Sequence, residues 1–170
     1  MRNDFFVFLN KYNLYDKGVY SYYNEHALRF DYYNEDFFRG SIGCTYMVDK
    51  YGILNEIIPF IPNLIDDITT LINIHEYVHV LSCYDKLNQH FKLPKCNEIL
   101  PIFYENLYIS ECNSARLKRF KQKLDELALS SNDDNYLMSL KVQDELISNY
   151  NNDSFSDLNY KAKSLLKKYH

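Results

Sequence analysis

The feature that most constrains this chain is a pair of histidines on either side of a glutamate, His75, Glu76 and His79, in the pattern H-E-x-x-H. These residues lie in the segment 63–84, whose apolar residues recur every three or four positions, as in a helix that buries one side. Residues four apart stack on one helical face, so both imidazoles can reach a single ion. The pattern therefore predicts a zinc site on a helix.

The position of Glu76 favours a catalytic site over a structural one. It follows His75 directly and lies about 100° further round the helix, where its carboxylate can sit beside a water on the metal without binding the metal itself. A catalytic zinc has three protein ligands and a water, whereas a structural zinc has four protein ligands. We therefore expect Glu76 to be the general base and a third ligand to lie elsewhere. The apolar stripe expected to face the core consists of Leu71, Ile74, Val78 and Leu81.

Two downstream glutamates could supply the third ligand. The segment 95–111 reads as the next helix, and Glu98 follows His79 after 18 intervening residues. Glu105 comes two helical turns after Glu98 and shares its face. Pro101 is compatible with this helix if it lies in the first turn, where backbone N–H groups have no helical partner. Helical geometry alone leaves both glutamates open.

The two segments together, HEYVH at 75–79 and NEILPIFYE at 97–105, resemble the gluzincins, zinc peptidases in which a glutamate on the next helix completes H-E-x-x-H. The spacer is similar to that of the aminopeptidase branch. Glu98, Pro101 and Glu105 look like the ligand, proline and second glutamate of thimet-type oligopeptidases, with the proline displaced by one position. The resemblance implies one zinc ion on His75, His79 and Glu98. Glu105 would then orient a histidine ring or a substrate amine, or replace Glu98 as the ligand.

The rest of the chain predicts an α+β fold. A short helix is expected over 4–15, and Gly52 marks the turn of a hairpin between the last two strands. Helical periodicity dominates from Ser114 onward. The predicted fold is a short three-stranded sheet packed on the active-site helix, followed by a helical C-terminal half, in one domain over 1–170; the resemblance makes it zincin-like. The strands are predicted over 27–33, 41–48 and 53–60.

The resemblance also implies how a substrate would be held. In peptidases of this kind the strand before the active-site helix is an exposed edge, so 54–60 is expected to pair with an extended peptide. Asn63 is expected to cap the metal helix. Hydrolysis of a peptide also needs a donor to the oxyanion, and the candidates are Tyr150 and Tyr160, downstream of the ligand helix.

Charge and composition exclude other partners. The net charge of -4, without a basic stripe interleaved with aromatics, argues against nucleic acid. No apolar run reaches the length of a membrane span and no signal peptide is recognisable, so the chain is expected to be soluble and cytoplasmic. The cysteines form no C-x-x-C pair and are expected to be buried thiols.

Three functions fit these observations. The first is a zinc-dependent peptidase acting on peptides or proteins. The second is a regulatory protease that cleaves one specific protein such as a repressor, although the alanine-rich stretch typical of that family after the third ligand is absent. The third is a non-catalytic metal-binding interaction module in which His75 and His79 hold a structural metal. Specificity, endo- or exopeptidase action and oligomeric state stay open.

Overall fold

The computed structural model of this chain describes residues 4–30, 43–63, 66–94 and 96–169. Its helices and strands, in chain order, are α1 (Asp4–Lys11), α2 (Lys17–His26), β1 (Leu28–Phe30), β2 (Cys44–Lys50), β3 (Ile53–Pro62), α3 (Asp67–Cys83), a 3-10 turn (Tyr84–Lys86), α4 (Ile99–Cys112), α5 (Ala115–Ser131), α6 (Asp134–Lys141), α7 (Gln143–Ser148) and α8 (Phe155–Leu166). The chain divides into two compact units. The sheet unit is Tyr15–Leu93, and the helical unit combines Met1–Leu14 with Pro94–His170. The prediction of a single domain stays a prediction.

The sheet unit contains the three predicted strands, in the order β1-β3-β2. β3 runs parallel to β1, with Leu28 opposite Phe60, and antiparallel to β2, with Cys44 opposite the same Phe60. The α+β prediction is confirmed. The prediction that 54–60 is an exposed edge is wrong at Phe60, which pairs with β1 as well as β2. It stays a prediction for the residues before Phe60, whose strand partner in the described part of the chain is β2. β1 and β3 are far apart in the sequence. The local pattern that predicts the β2–β3 hairpin therefore does not show that β1 pairs with β3.

A two-residue turn joins β2 to β3, and Gly52 lies in it as predicted. Tyr51 and Gly52 both have positive φ, 58° and 75°, the combination that matches the twist of a two-stranded ribbon. The Gly52 N–H donates to Oδ1 of Asp49 at 2.7 Å. The segment after α3 supports this end of the sheet, because the Leu54 N–H donates to the Gln89 carbonyl at 3.0 Å.

The strand bounds differ from the prediction mainly at the C-terminal end of β3. This strand continues to Pro62 instead of stopping at residue 60. Pro59 is tolerated inside it, since β1 begins to pair only at Phe60 and Pro59 therefore has a strand neighbour on one side only. The predicted strand residues 31–33 and 41–42 lie outside the described part of the chain.

The metal helix α3 begins later than predicted, and its cap is Asp66 instead of Asn63. Oδ1 of Asp66 accepts from the Thr69 N–H at 2.7 Å. Asn63 instead extends the pairing with β1, because its N–H donates to the Phe30 carbonyl at 2.7 Å. α3 packs on β3, and the apolar core between them is fully buried. Its central residues are Ile57, Ile61, Leu71, Ile74 and Val78.

The helical unit is organised around α4, which begins four residues after the predicted start, so that Pro101 falls in its first turn. The ring of Phe8 in α1 meets Tyr108 of α4 edge-on at 5.6 Å. The helical C-terminal half is confirmed. Two short helices of this half, α6 and α7, meet at the buried Val142.

Two further expectations concern membranes and cysteines. Among the described helices, none has the combined length and apolar character needed to cross a lipid bilayer. Cys83 is buried as predicted, and burial raises the pKa of its thiol to about 11. Cys112 is exposed at the end of α4, so the expectation of buried thiols is wrong for that residue.

Candidate metal centre

Two histidine nitrogens face each other on α3. The Nε2 atoms of His75 and His79 are 3.1 Å apart, and the ring centroids are 4.9 Å apart at an interplanar angle of 65°. His79 is 7% exposed and His75 is half-buried. The helical spacing of four therefore brings the two rings together as the sequence predicted.

This separation fits a shared metal ion. Nitrogens that each lie about 2.0–2.1 Å from one zinc in tetrahedral geometry are about 3.3 Å apart. The observed 3.1 Å is close to that value. Imidazole nitrogens suit zinc and other first-row transition metals, and the pair does not by itself select among them. The structure therefore supports a metal-binding pair whose metal is not identified.

Glu76 is buried beside this pair, with 3% of its surface exposed. The hydroxyl of Thr45 in β2 donates to its Oε2 at 2.6 Å. A buried carboxylate that accepts such a bond is stabilised in its charged form, since the bond replaces water. The sheet thus holds the carboxylate that the sequence identifies as the general base.

A hydrogen-bonded tyrosine lies behind Glu76. The Tyr23 hydroxyl donates to Oδ1 of Asn73 at 2.9 Å, and Nδ2 of Asn73 donates to the Thr69 carbonyl at 2.8 Å. Burial, and then the charge of Glu76, raise the pKa of Tyr23 well above its usual value. Tyr23 is therefore a neutral hydrogen-bond donor at any physiological pH.

Glu98, the favoured third ligand, belongs to the helical unit and immediately precedes α4. Its carbonyl accepts from the Ile102 N–H at 3.0 Å, so its backbone belongs to the first turn. Asn97 does not cap this helix with its side chain, since its Oδ1 accepts from Nδ2 of Asn135 at 2.5 Å. Glu98 is half-buried.

Glu105 has a different environment inside the helical unit. It is 4% exposed, and its Oε2 lies 3.2 Å from Nζ of Lys121. Lys121 also donates to Asp125 at 2.8 Å and to the Tyr136 hydroxyl at 2.5 Å. Burial alone would lower the pKa of Lys121, but the carboxylates of Glu105 and Asp125 raise it. Glu105 is thus paired with a lysine that stays charged.

The two oxyanion candidates also belong to the helical unit. The Tyr150 ring packs on Phe103 with centroids 5.2 Å apart, and burial, followed by the charge of Asp153, raises the pKa of its hydroxyl. Tyr160 projects from α8 with 74% of its surface exposed. Their role as oxyanion donors stays a prediction.

Comparisons with family models, curated proteins and solved structures returned no match to this chain. The resemblance to gluzincins therefore depends on the residues quoted for it.

Thr45 is the site residue that the sequence did not single out. Thr45 is 31 positions from Glu76 and on a different element. A pattern of spacings along one helix cannot reveal such a contact. The only available signal was the prediction that the strand containing Thr45 packs beside the metal helix.

Proposed function

We propose that this chain is a zinc-dependent peptidase in which Glu76 is the general base. The observation that carries the proposal is the facing pair of Nε2 atoms, 3.1 Å apart on α3, with the buried Glu76 next to it in sequence. Such a pair is suited to binding one metal ion through both nitrogens. The intervening glutamate is suited to handling protons beside that ion.

We assign the third ligand to Glu98 and one zinc ion to each chain. The sequence spacing after His79 supports this assignment. The surroundings of Glu105 support it too, because the charge of that carboxylate is already balanced by Lys121 at 3.2 Å. Taking Glu105 away from this pair would remove one of the two carboxylates that balance the charge of the buried Lys121, which is unfavourable. Glu98 itself is half-buried and immediately precedes α4.

The chemistry follows from this arrangement. A bound zinc would lower the pKa of a water on it towards neutrality and polarise the carbonyl of the substrate. Glu76 would accept the proton of the attacking water and then transfer it to the leaving amine. Glu76 is buried, and the hydroxyl of Thr45 donates to its Oε2 at 2.6 Å, which holds the carboxylate in place for both transfers. One residue thus acts first as base and then as acid.

The substrate class we propose is an extended peptide or protein segment. In the described part of the chain, β2 pairs with β3 on one side and leaves its other edge for such a segment. Thr45, which binds Glu76, belongs to the same strand. Pairing with β2 would therefore place a peptide backbone along the strand that holds the base. The proposal thus places the peptide on β2, whereas the resemblance to gluzincins implies the edge at 54–60.

The test is the variant Glu76→Gln, which keeps the size of the side chain and removes its basicity. We expect wild-type zinc content by elemental analysis and a loss of peptide hydrolysis of about 100-fold or more. Glu25→Gln, an exposed glutamate of α2 in the same unit, is the matched control and should be fully active. Undiminished hydrolysis by Glu76→Gln would disprove the assigned role.

A further inference from the structure

Gly43, just before β2, and Thr45, in β2, lie against the Glu76 carboxylate, and both of its oxygens are involved. The Thr45 hydroxyl lies 2.6 Å from Oε2. A methyl group placed on Gly43 would lie 3.1 Å from Oε1. Because Thr45 and Gly43 are two apart on an extended chain, both approach α3 from the same side of the sheet.

We propose that Thr45 is a positioning residue for Glu76 and that Gly43 provides the space this position requires. The proposal rests on the proposed function, because it concerns how the general base is oriented. The hydroxyl fixes the rotation of the carboxylate about its last bond, so that the oxygen facing Gly43 is held in one orientation relative to the histidine pair.

The threonine is well suited to this task. Its side chain is branched at Cβ and therefore stiff, so the hydroxyl is placed accurately once the strand is formed. The strand itself is fixed by pairing of Thr45 with Pro59 in β3. A distance of 2.6 Å is typical of a hydroxyl that donates to a charged carboxylate, the stronger class of hydrogen bond.

Glycine at position 43 is required by close approach. A methyl group there would be 2.5 Å from Cγ2 of Ile72, in addition to its contact with Glu76. Real side-chain atoms do not approach to that distance, so any larger residue would displace α3 or the start of β2. Ile72 and Glu76 are four apart on α3, so this displacement acts on the helical face that carries the carboxylate.

The test compares Thr45→Val with Thr45→Ser. Valine keeps the shape and removes the hydroxyl, and we expect kcat for peptide hydrolysis to fall by about 10 to 100-fold with zinc content unchanged. KM should change little, because the lost interaction orients the base and does not bind substrate. Serine should restore kcat to near the wild-type value. Equal kcat for wild type and Thr45→Val would overturn the proposal, and so would loss of zinc in Thr45→Val.

Two controls make the result specific. Thr70→Val removes a comparable hydroxyl from α3, one that donates to the Asp66 carbonyl at 3.0 Å, and should leave kcat unchanged. Gly43→Ala should lower kcat with zinc retained, and wild-type kcat in that variant would refute the role given to Gly43.

A measurement that does not depend on activity separates this proposal from the proposed function. The side-chain carboxyl signal of Glu76 can be assigned by ¹³C NMR as the one that disappears in Glu76→Gln. We expect Thr45→Val to shift this signal and Thr45→Ser to leave it near its original position. An unmoved signal in Thr45→Val would rule out the hydrogen bond even in an active peptidase. A shifted signal in a protein without peptidase activity would refute the proposed function alone.

Discussion

Three glutamates of this chain show how surroundings assign different chemistry to one side chain. Glu76 is buried and held by a threonine hydroxyl, and Glu105 is buried and held by Lys121. Glu98 is half-buried at the start of a helix. A carboxylate with a balancing lysine favours stability, whereas one that is held by neutral donors keeps its charge for a reaction.

The ligand assignment leads to a paired prediction. Glu98→Gln should weaken zinc binding by at least about tenfold, because a neutral amide replaces a charged ligand. Glu105→Gln should bind zinc normally but lose about 1 to 3 kcal/mol of the free energy of unfolding, since the buried Lys121 keeps Asp125 but loses the second carboxylate that balances its charge. Zinc affinity can be measured by competition with a chelator and stability by urea unfolding. The opposite pattern of zinc affinities would identify Glu105 as the ligand.

At the scale of elements, periodicity predicted what is local. The helical repeat identified α3 and α4, and the alternation around Gly52 identified the β2–β3 hairpin. Each of these patterns is contained in a short stretch of sequence, a few helical turns or a few strand residues long. The position of β1 was not predictable in this way. β1 pairs with β3, which is far from it in the sequence and which also pairs with the adjacent strand β2.

The start of α3 shows the same limit. Asn63 and Asp66 are both good caps by residue type, and the local pattern did not separate them. Pairing of the Asn63 N–H with the Phe30 carbonyl decides in favour of Asp66, and this contact spans a long stretch of chain. The site shows a similar contrast, since the spacing of His75 and His79 is visible in the sequence and the Thr45 contact is not.

The cap of α3 gives a prediction at this scale. Asp66→Ala should lower the free energy of unfolding by about 1 kcal/mol, because the Thr69 N–H loses its acceptor at 2.7 Å. Asn63→Ala, three positions before the cap, should lower it by less than Asp66→Ala does, because the α3 N–H groups keep their acceptor on Asp66. Urea unfolding followed by circular dichroism measures both values. A larger effect at Asn63 than at Asp66 would contradict this assignment of the cap.

For the whole molecule, the 17 tyrosines link stability to alkaline pH. Burial raises the pKa of Tyr77 to about 12 and raises those of Tyr23 and Tyr104 as well. In the unfolded chain these phenols ionise near 10.0, the ordinary tyrosine value. The folded state therefore holds protons that the unfolded state releases, and stability is lost as the pH rises above that value.

We accordingly expect the free energy of unfolding not to change through tyrosine ionisation between pH 7 and 9, and to fall above pH 10. Each buried tyrosine contributes up to about 1.4 kcal/mol per pH unit to this decrease. Urea unfolding at a series of pH values measures it, with tyrosinate absorbance as an independent readout. Ionisation of all tyrosines in the folded protein near pH 10 would contradict the prediction.

The helical unit is assembled from both ends of the chain, and this affects the order of events during synthesis on the ribosome. Phe5, Phe8 and Leu9 of α1 are buried in the finished protein, and Phe8 packs on Tyr108. Tyr108 is translated long after α1 has emerged from the ribosome. The strands and α3, which lie between α1 and α4 in the sequence, come from one continuous segment. The nascent chain therefore exposes the apolar residues of α1 to solvent until α4 has been translated, a stage at which such a surface is prone to aggregate.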